Sequence, residues 1–163
     1  MLRLLATVGG LAGAVTLSQF PEFSQQYLQR LSGAVDEMHT VVLAYDNDAA
    51  QAGLGRQEYV NQMAQNEVFA PTARSMAQNI HRYERLSNNY DVLKDASPIG
   101  RLTQPWHFAD TELVGRTLDD FKPAVPVTAD GFISAGVGYG LGWLAVMGLI
   151  ALVRLPFRKR SVA

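Results

Sequence analysis

Apolar residues along this chain form two continuous runs at its ends and a periodic pattern between them. The longer run is GFISAGVGYGLGWLAVMGLIALV, Gly131 to Val153, 23 residues without a charge. A helix crossing a bilayer core needs about 20 such residues, so this segment is predicted to span a membrane. The shorter run, LLATVGGLAGAVTLSQF, extends from Leu4 to Phe20 behind Arg3. It approaches the minimum spanning length. Ala12-Gly13-Ala14 offers a small-x-small site like that of a cleaved signal peptide. The apolar stretch before it is only Leu4 to Leu11, however, and the basic region is one arginine. An uncleaved first span is the expectation.

Between the runs, Phe23, Tyr27, Leu31, Val35, Met38, Val42 and Tyr45 recur at spacings of three and four. That is the stripe of an amphipathic helix. Pro21 suits its first turn or a restart after the span, and the stripe fades at DNDAAQAGLG, where Gly53 and Gly55 are stop signals. A short helix is predicted over Arg56 to Asn66. A second long one follows Pro71 through Ala73, Met76, Ile80, Tyr83, Leu86, Tyr90 and Leu93, and stops near Ser97-Pro98. Two long helices with a short connection favour an antiparallel pair. SPIGRLTQPWHFAD reads as turns, and Asp110-Thr111-Glu112 opens a last short helix to Phe121. Thr128 or Asp130 can cap the second span. No stretch alternates with period two for long, so no sheet is predicted.

Charge sets the expected orientation. Residues 21–130 carry 9 Lys or Arg and 15 Asp or Glu, and the other 5 basic residues are Arg3, Arg154, Arg158, Lys159 and Arg160. Basic flanks stay cytoplasmic. The expected fold class is an all-α membrane protein: two transmembrane helices, 1–20 and 131–154, flank a helical-hairpin extracytoplasmic domain, 21–130. Residues 155–163 form a basic cytoplasmic tail. Arg154, Arg158, Lys159 and Arg160 orient the second span and face lipid headgroups. The net charge of −1 gives no footprint for nucleic acid. Zero cysteines exclude disulfides, thiol catalysis and thiolate metal sites.

The second span contains GVGYG, one residue from the TVGYG of potassium-channel filters. A filter needs unwound carbonyls protected by protein and a preceding pore helix. An unbroken apolar run leaves no room for one, and no strand precedes the glycines as a phosphate loop requires. Helical packing explains them directly. Gly136 and Gly140 are four apart, as are Gly138 and Gly142; Gly9 and Gly13 repeat the spacing in the first span, and Gly10 pairs with Ala6 and Ala14. Such spacing lets a second backbone approach. The expected helix-packing interface is Gly9, Gly10, Gly13, Gly136, Gly138, Gly140 and Gly142, with Trp143 facing protein because it lies nearer mid-membrane than the interfacial belt.

Chemistry is sparse. His81 and Glu84 are three apart, and His39 lies near Asp36 and Glu37. A di-metal carboxylate site needs more inward carboxylates and usually two Glu-x-x-His pairs, so no metal and no cofactor is expected. No nucleophile motif occurs, and neither span carries the internal charge that marks an ion path.

The whole chain resembles an uncharacterised family of bacterial inner-membrane proteins known only as a domain of unknown function. The residues that carry the likeness are Pro21-Glu22-Phe23 with Tyr27-Leu28-Gln29-Arg30-Leu31, then Arg82-Tyr83-Glu84-Arg85-Leu86, then Leu118 with Asp120-Phe121-Lys122-Pro123-Ala124-Val125-Pro126. The resemblance implies a two-span protein with a mostly helical middle, and no activity, ligand or catalytic residue. The functional expectation is a non-enzymatic accessory or assembly subunit of a larger inner-membrane complex, one with an energy-transducing role among the options. Its partners are integral membrane proteins or further copies of itself, together with the lipid bilayer. The alternatives are a homo-oligomeric membrane scaffold or envelope protein, and a periplasmic sensor or enzyme with a site near Trp106, His107 and Phe108.

Overall fold

The computed structural model describes residues 1–154, all helix and connections. Its helices are α1 (Leu2–Ser18), α2 (Phe20–Gln51), α3 (Arg56–Ala64), α4 (Ala70–Asp95), α5 (Pro98–Leu102), α6 (Thr111–Asp119) and α7 (Ala129–Arg154), with a 3-10 turn at Pro105–His107. Among the described residues there is no strand. Two of these stretches are long and apolar enough to cross a membrane, one beginning with α1 and the other α7. Of the basic tail, only Arg154 lies within the described residues, exposed in the last turn of α7. Arg158, Lys159 and Arg160 lie outside them.

The chain divides into two compact units. The first joins 1–25, 97–103 and the stretch from Asp120 onward; the second joins 26–96 and 104–119. In the first, α1 and α2 are separated at one residue, Gln19, which itself keeps right-handed helical angles. Pro21 explains the break: it has no N–H for the carbonyl four residues back, and its ring crowds that carbonyl. The ladder resumes with Phe23 N–H donating to Gln19 O at 2.9 Å. The Gln19 side chain then reaches far along the chain. Its Nε2 donates to Ala124 O and its Oε1 accepts from Ala124 N–H, both at 3.1 Å.

The turn-rich segment after α4 contains α5, which the sequence reading leaves as loop. Ser97 caps it by accepting from Gly100 N–H at 3.1 Å, and Pro98 suits the first turn. Arg101, 5% exposed, fastens it to the start of α2 by donating to Ser24 Oγ at 3.4 Å and Gln25 Oε1 at 3.3 Å. Burial pulls its guanidinium below the ordinary arginine range.

The second unit holds two apolar clusters. Tyr27 and Leu31 of α2 meet Leu86 and Leu93 of α4 and Leu113 of α6. Val42 of α2 meets Val60 of α3 and Ala73, Met76 and Ile80 of α4. All but two of these are stripe positions of the predicted helices; α3 adds Val60 and α6 adds Leu113. The first long helix runs through DNDAAQ to Gln51, past the fading stripe. Asp46 holds it there through a two-pronged ion pair with Arg56 at the start of α3. Gly53 then makes the turn at φ 72°, the left-handed region.

Candidate helix-packing interface

The residues of this interface are small because the backbones they belong to nearly touch. α1 and α7 pack antiparallel, with Gly13 against Gly138 and Gly9 against Gly142. A Cβ at Gly13 would strike the Gly138 carbonyl, and one at Gly138 would strike the Gly13 carbonyl and Leu17 Cβ. At Gly142 it would strike the Gly9 carbonyl, and at Gly9 the Val146 side chain. Gly10 lies beneath the Tyr139 ring. Backbones this close gain dispersion contacts that larger side chains would forfeit.

The expected set therefore divides. Gly9, Gly10, Gly13, Gly138 and Gly142 sit between the two helices, whereas Gly136 and Gly140 face open space, as does Gly148. Trp143, next to Gly142, is 36% exposed. Ser134 extends the contacting ridge of α7 one turn beyond Gly138 and is fully buried, and Ala6 does the same on α1. Ser134 escaped the sequence reading because only glycines were followed along that span; its spacing of four from Gly138 is the signal. Its Oγ has no hydrogen-bond partner. Serine here supplies small size rather than a bond.

The residues of the sensor or enzyme alternative lie in the second unit. Phe108 packs on Tyr27 with ring centroids 4.7 Å apart, and His107 Nδ1 is 2.8 Å from Asn89 Oδ1. Trp106 is 63% exposed. Beside them, a cavity of about 310 Å³ is lined by Arg82, Arg85, Asn89, Asp110, Thr111 and Glu112. Its charges are largely matched within the protein. Arg82 donates to Glu112 at 2.8 Å and lies 3.5 Å from Asp110; Arg116 also pairs with Glu112. The hydrogen bond from Arg82 holds the Glu112 carboxyl below its usual range. Asp110 is further engaged as the cap of α6, accepting from Leu113 N–H at 3.0 Å. Tyr27 is buried beside this group, and desolvation with the nearby Asp110 charge pushes its phenol up to about 12. His39 lies against the Tyr83 ring, and exposed His81 is 3.5 Å from Glu84. Among the described residues no three His, Cys, Asp or Glu side chains converge as a metal site. The arrangement stabilises the 104–112 segment on α4.

A family model described as a protein of unknown function, DUF2937, matches residues 1–159. No curated protein matches the chain, and no solved structure does.

Proposed function

We propose that this chain, which belongs to the DUF2937 family, is a non-enzymatic accessory or assembly subunit of a larger complex in the bacterial inner membrane. One observation carries the reading. α7 bears two small-residue ridges, and among the described residues only one is used. Gly138 and Gly142 are occupied by α1, while Gly136 and Gly140 leave a second groove open. A glycine in the middle of a helix costs about 0.5–1 kcal/mol relative to alanine in water, so glycines that meet nothing among the described residues call for a further neighbour. An integral membrane partner helix fits that groove by close backbone approach.

In this reading both termini are cytoplasmic, since Arg3 and the Arg154 flank obey the positive-inside rule. The middle is a periplasmic helical hairpin. Pairing of Tyr27 and Leu31 with Leu86 and Leu93, and of Val42 with Met76 and Ile80, supports α2 and α4 running antiparallel. The matched charges around Arg82 favour a structural role for that region over a catalytic one.

The test is purification of a tagged copy from its native membrane in mild detergent, with mass spectrometry of what accompanies it. A stoichiometric set of different subunits is expected. Gly140→Leu should deplete that set while the helicity of the protein is kept. Recovery of the chain alone, or crosslinks only between its own copies, would overturn the reading in favour of a homo-oligomeric scaffold.

A further inference from the structure

The connection between α6 and α7 contains the most exposed valines of the first unit. Val125 is 79% exposed and Val127 is 78% exposed. Slack in the backbone does not explain it, because the segment is held at three successive points. Ala124 is bonded in both directions to the Gln19 side chain. Pro126 rests on Gly131, where a Cβ would press on the Pro126 ring. Thr128 Oγ1 accepts from Gly131 N–H at 3.2 Å and caps α7. Pro126 is half-buried between the two exposed valines. With Pro126 turned inward, Val125 and Val127 are both turned out.

Their height is set by the packing of the spans. Gly9 lies opposite Gly142 and Gly13 opposite Gly138, so Gln19 lies level with the first turn of α7. Counting about 20 residues back from Arg154, the length that crosses a bilayer core, reaches Ser134. The valines therefore stand about one helical turn beyond the hydrocarbon edge, in the headgroup region. The backbone suits that depth. Pro123 and Pro126 have no N–H to satisfy, and the Ala124 N–H and carbonyl are both paired with Gln19; the remaining peptide groups are served by the water that the headgroup layer retains. Phe121 lies beside them, its ring 6.2 Å from that of Phe23. No charge occurs between Lys122 and Asp130.

We infer that the 123–128 segment is an interfacial membrane anchor, seating Val125 and Val127 in the lipid headgroup layer of the outer leaflet. This rests on the membrane reading above. It adds a contact with lipid that neither span makes, and it fixes the height at which the middle residues leave the bilayer.

The absence of cysteine makes the test direct. Single variants Val125→Cys, Val127→Cys, Val68→Cys and Leu144→Cys are labelled with an environment-sensitive fluorophore. They are reconstituted in phosphatidylethanolamine–phosphatidylglycerol vesicles. Val68 is the exposed reference from the second unit, at 78%, and Leu144 the reference within the span. Probes at 125 and 127 should be quenched by a nitroxide placed shallowly on the lipid, and several-fold less than Val68 by aqueous iodide. Iodide quenching equal to that at Val68, with Leu144 still quenched by lipid, would overturn the anchor and leave the membrane reading standing. Iodide quenching at Leu144 as well would overturn both. Protection from both quenchers in native-membrane vesicles, with iodide access in the lipid vesicles, would assign the valines to a protein neighbour and overturn the anchor. Val127→Trp with brominated lipid, in a Trp106→Phe/Trp143→Phe background, repeats the measurement without a dye.

Discussion

Replacing Gly138 by alanine should separate α1 from α7, and the same change at Gly140 should not. The two sites lie two residues apart on one helix and lose the same glycine. They differ in what the new methyl group meets. At Gly138 it meets backbone, the Gly13 carbonyl, together with Leu17 Cβ, and cannot be accommodated by a side-chain rotation. At Gly140 it meets nothing. Overpacking of this kind costs about 1–3 kcal/mol, and even a gap of about 0.5–1 Å forfeits a quarter to a half of each dispersion contact along the seam. In water alanine would also gain up to about 1 kcal/mol of helix propensity over glycine. Unfolding with dodecyl sulfate largely removes that term, because the helices persist in the dissociated state. The assay is transfer from Trp143 to an acceptor on Leu5→Cys in a Trp106→Phe background, followed as dodecyl sulfate is titrated into mild detergent. Leu5 and Trp143 lie within about one turn in height, given the Gly9–Gly142 apposition. Gly138→Ala should lose about 1–3 kcal/mol, Gly13→Ala a similar amount from the other side of the same contact, and Gly140→Ala should stay within about 0.5 kcal/mol of wild type. The two single losses should not add, since one displacement relieves both. Equal midpoints for Gly138→Ala and Gly140→Ala would refute the assignment of the two ridges.

The second unit offers independent checks by circular dichroism in detergent. Leu31→Ala or Leu86→Ala, in the cluster with Tyr27, should cost about 2–5 kcal/mol, and a loss below about 1 kcal/mol would show that cluster to be loosely packed. Tyr27 gives a pH signature: its folded phenol titrates at about 12 against 10.0 ordinarily. Its contribution is therefore complete below pH 10.0, is lost as the pH rises toward about 12, and that alkaline slope should be shallower in Tyr27→Phe. Asp46 has the opposite sign, because the hydrogen bond from Arg56 holds its carboxyl below the usual range. Stability from that pair is present above the ordinary carboxylate range and is lost as the pH falls through the depressed value; both side chains of the pair are more than a third exposed, so Asp46→Asn at neutral pH should cost no more than about 1 kcal/mol.

The parts of this fold that were legible in the sequence are those fixed by local periodicity. Val35 and Met38 sit beside the first cluster and Tyr45 beside the second, where the spacing of three and four puts them. The uncharged run of the second span is the helix α7 with two residues added before it and one after. Helix ends were less legible. The DNDAAQ stretch has no stripe, yet it stays helical to Gln51, with buried Ala49 and the Asp46–Arg56 pair supporting it. α5 was hidden by its length, one Pro and one Gly; what holds it is Arg101, a contact from 76 residues away, and no local rule carries that distance.

The interface shows most sharply where legibility stops. Gly136, Gly138, Gly140 and Gly142 form two ridges two residues apart, and by composition they are equivalent. Spacing alone says that either can receive a backbone. Which one does depends on the register of α1 against α7, and that register is set by features of different kinds. Gln19 binds Ala124, Pro126 rests on Gly131, and Ser134 continues the ridge without being a glycine. Each of these joins residues more than one turn apart or breaks the glycine pattern. Once the register is fixed, Gly138 and Gly142 are explained by the chain itself, and Gly136 and Gly140 are not. In the proposed reading the glycines that the intramolecular packing leaves unused are the ones a partner would meet, so a substitution at Gly140 tests association where one at Gly138 tests folding.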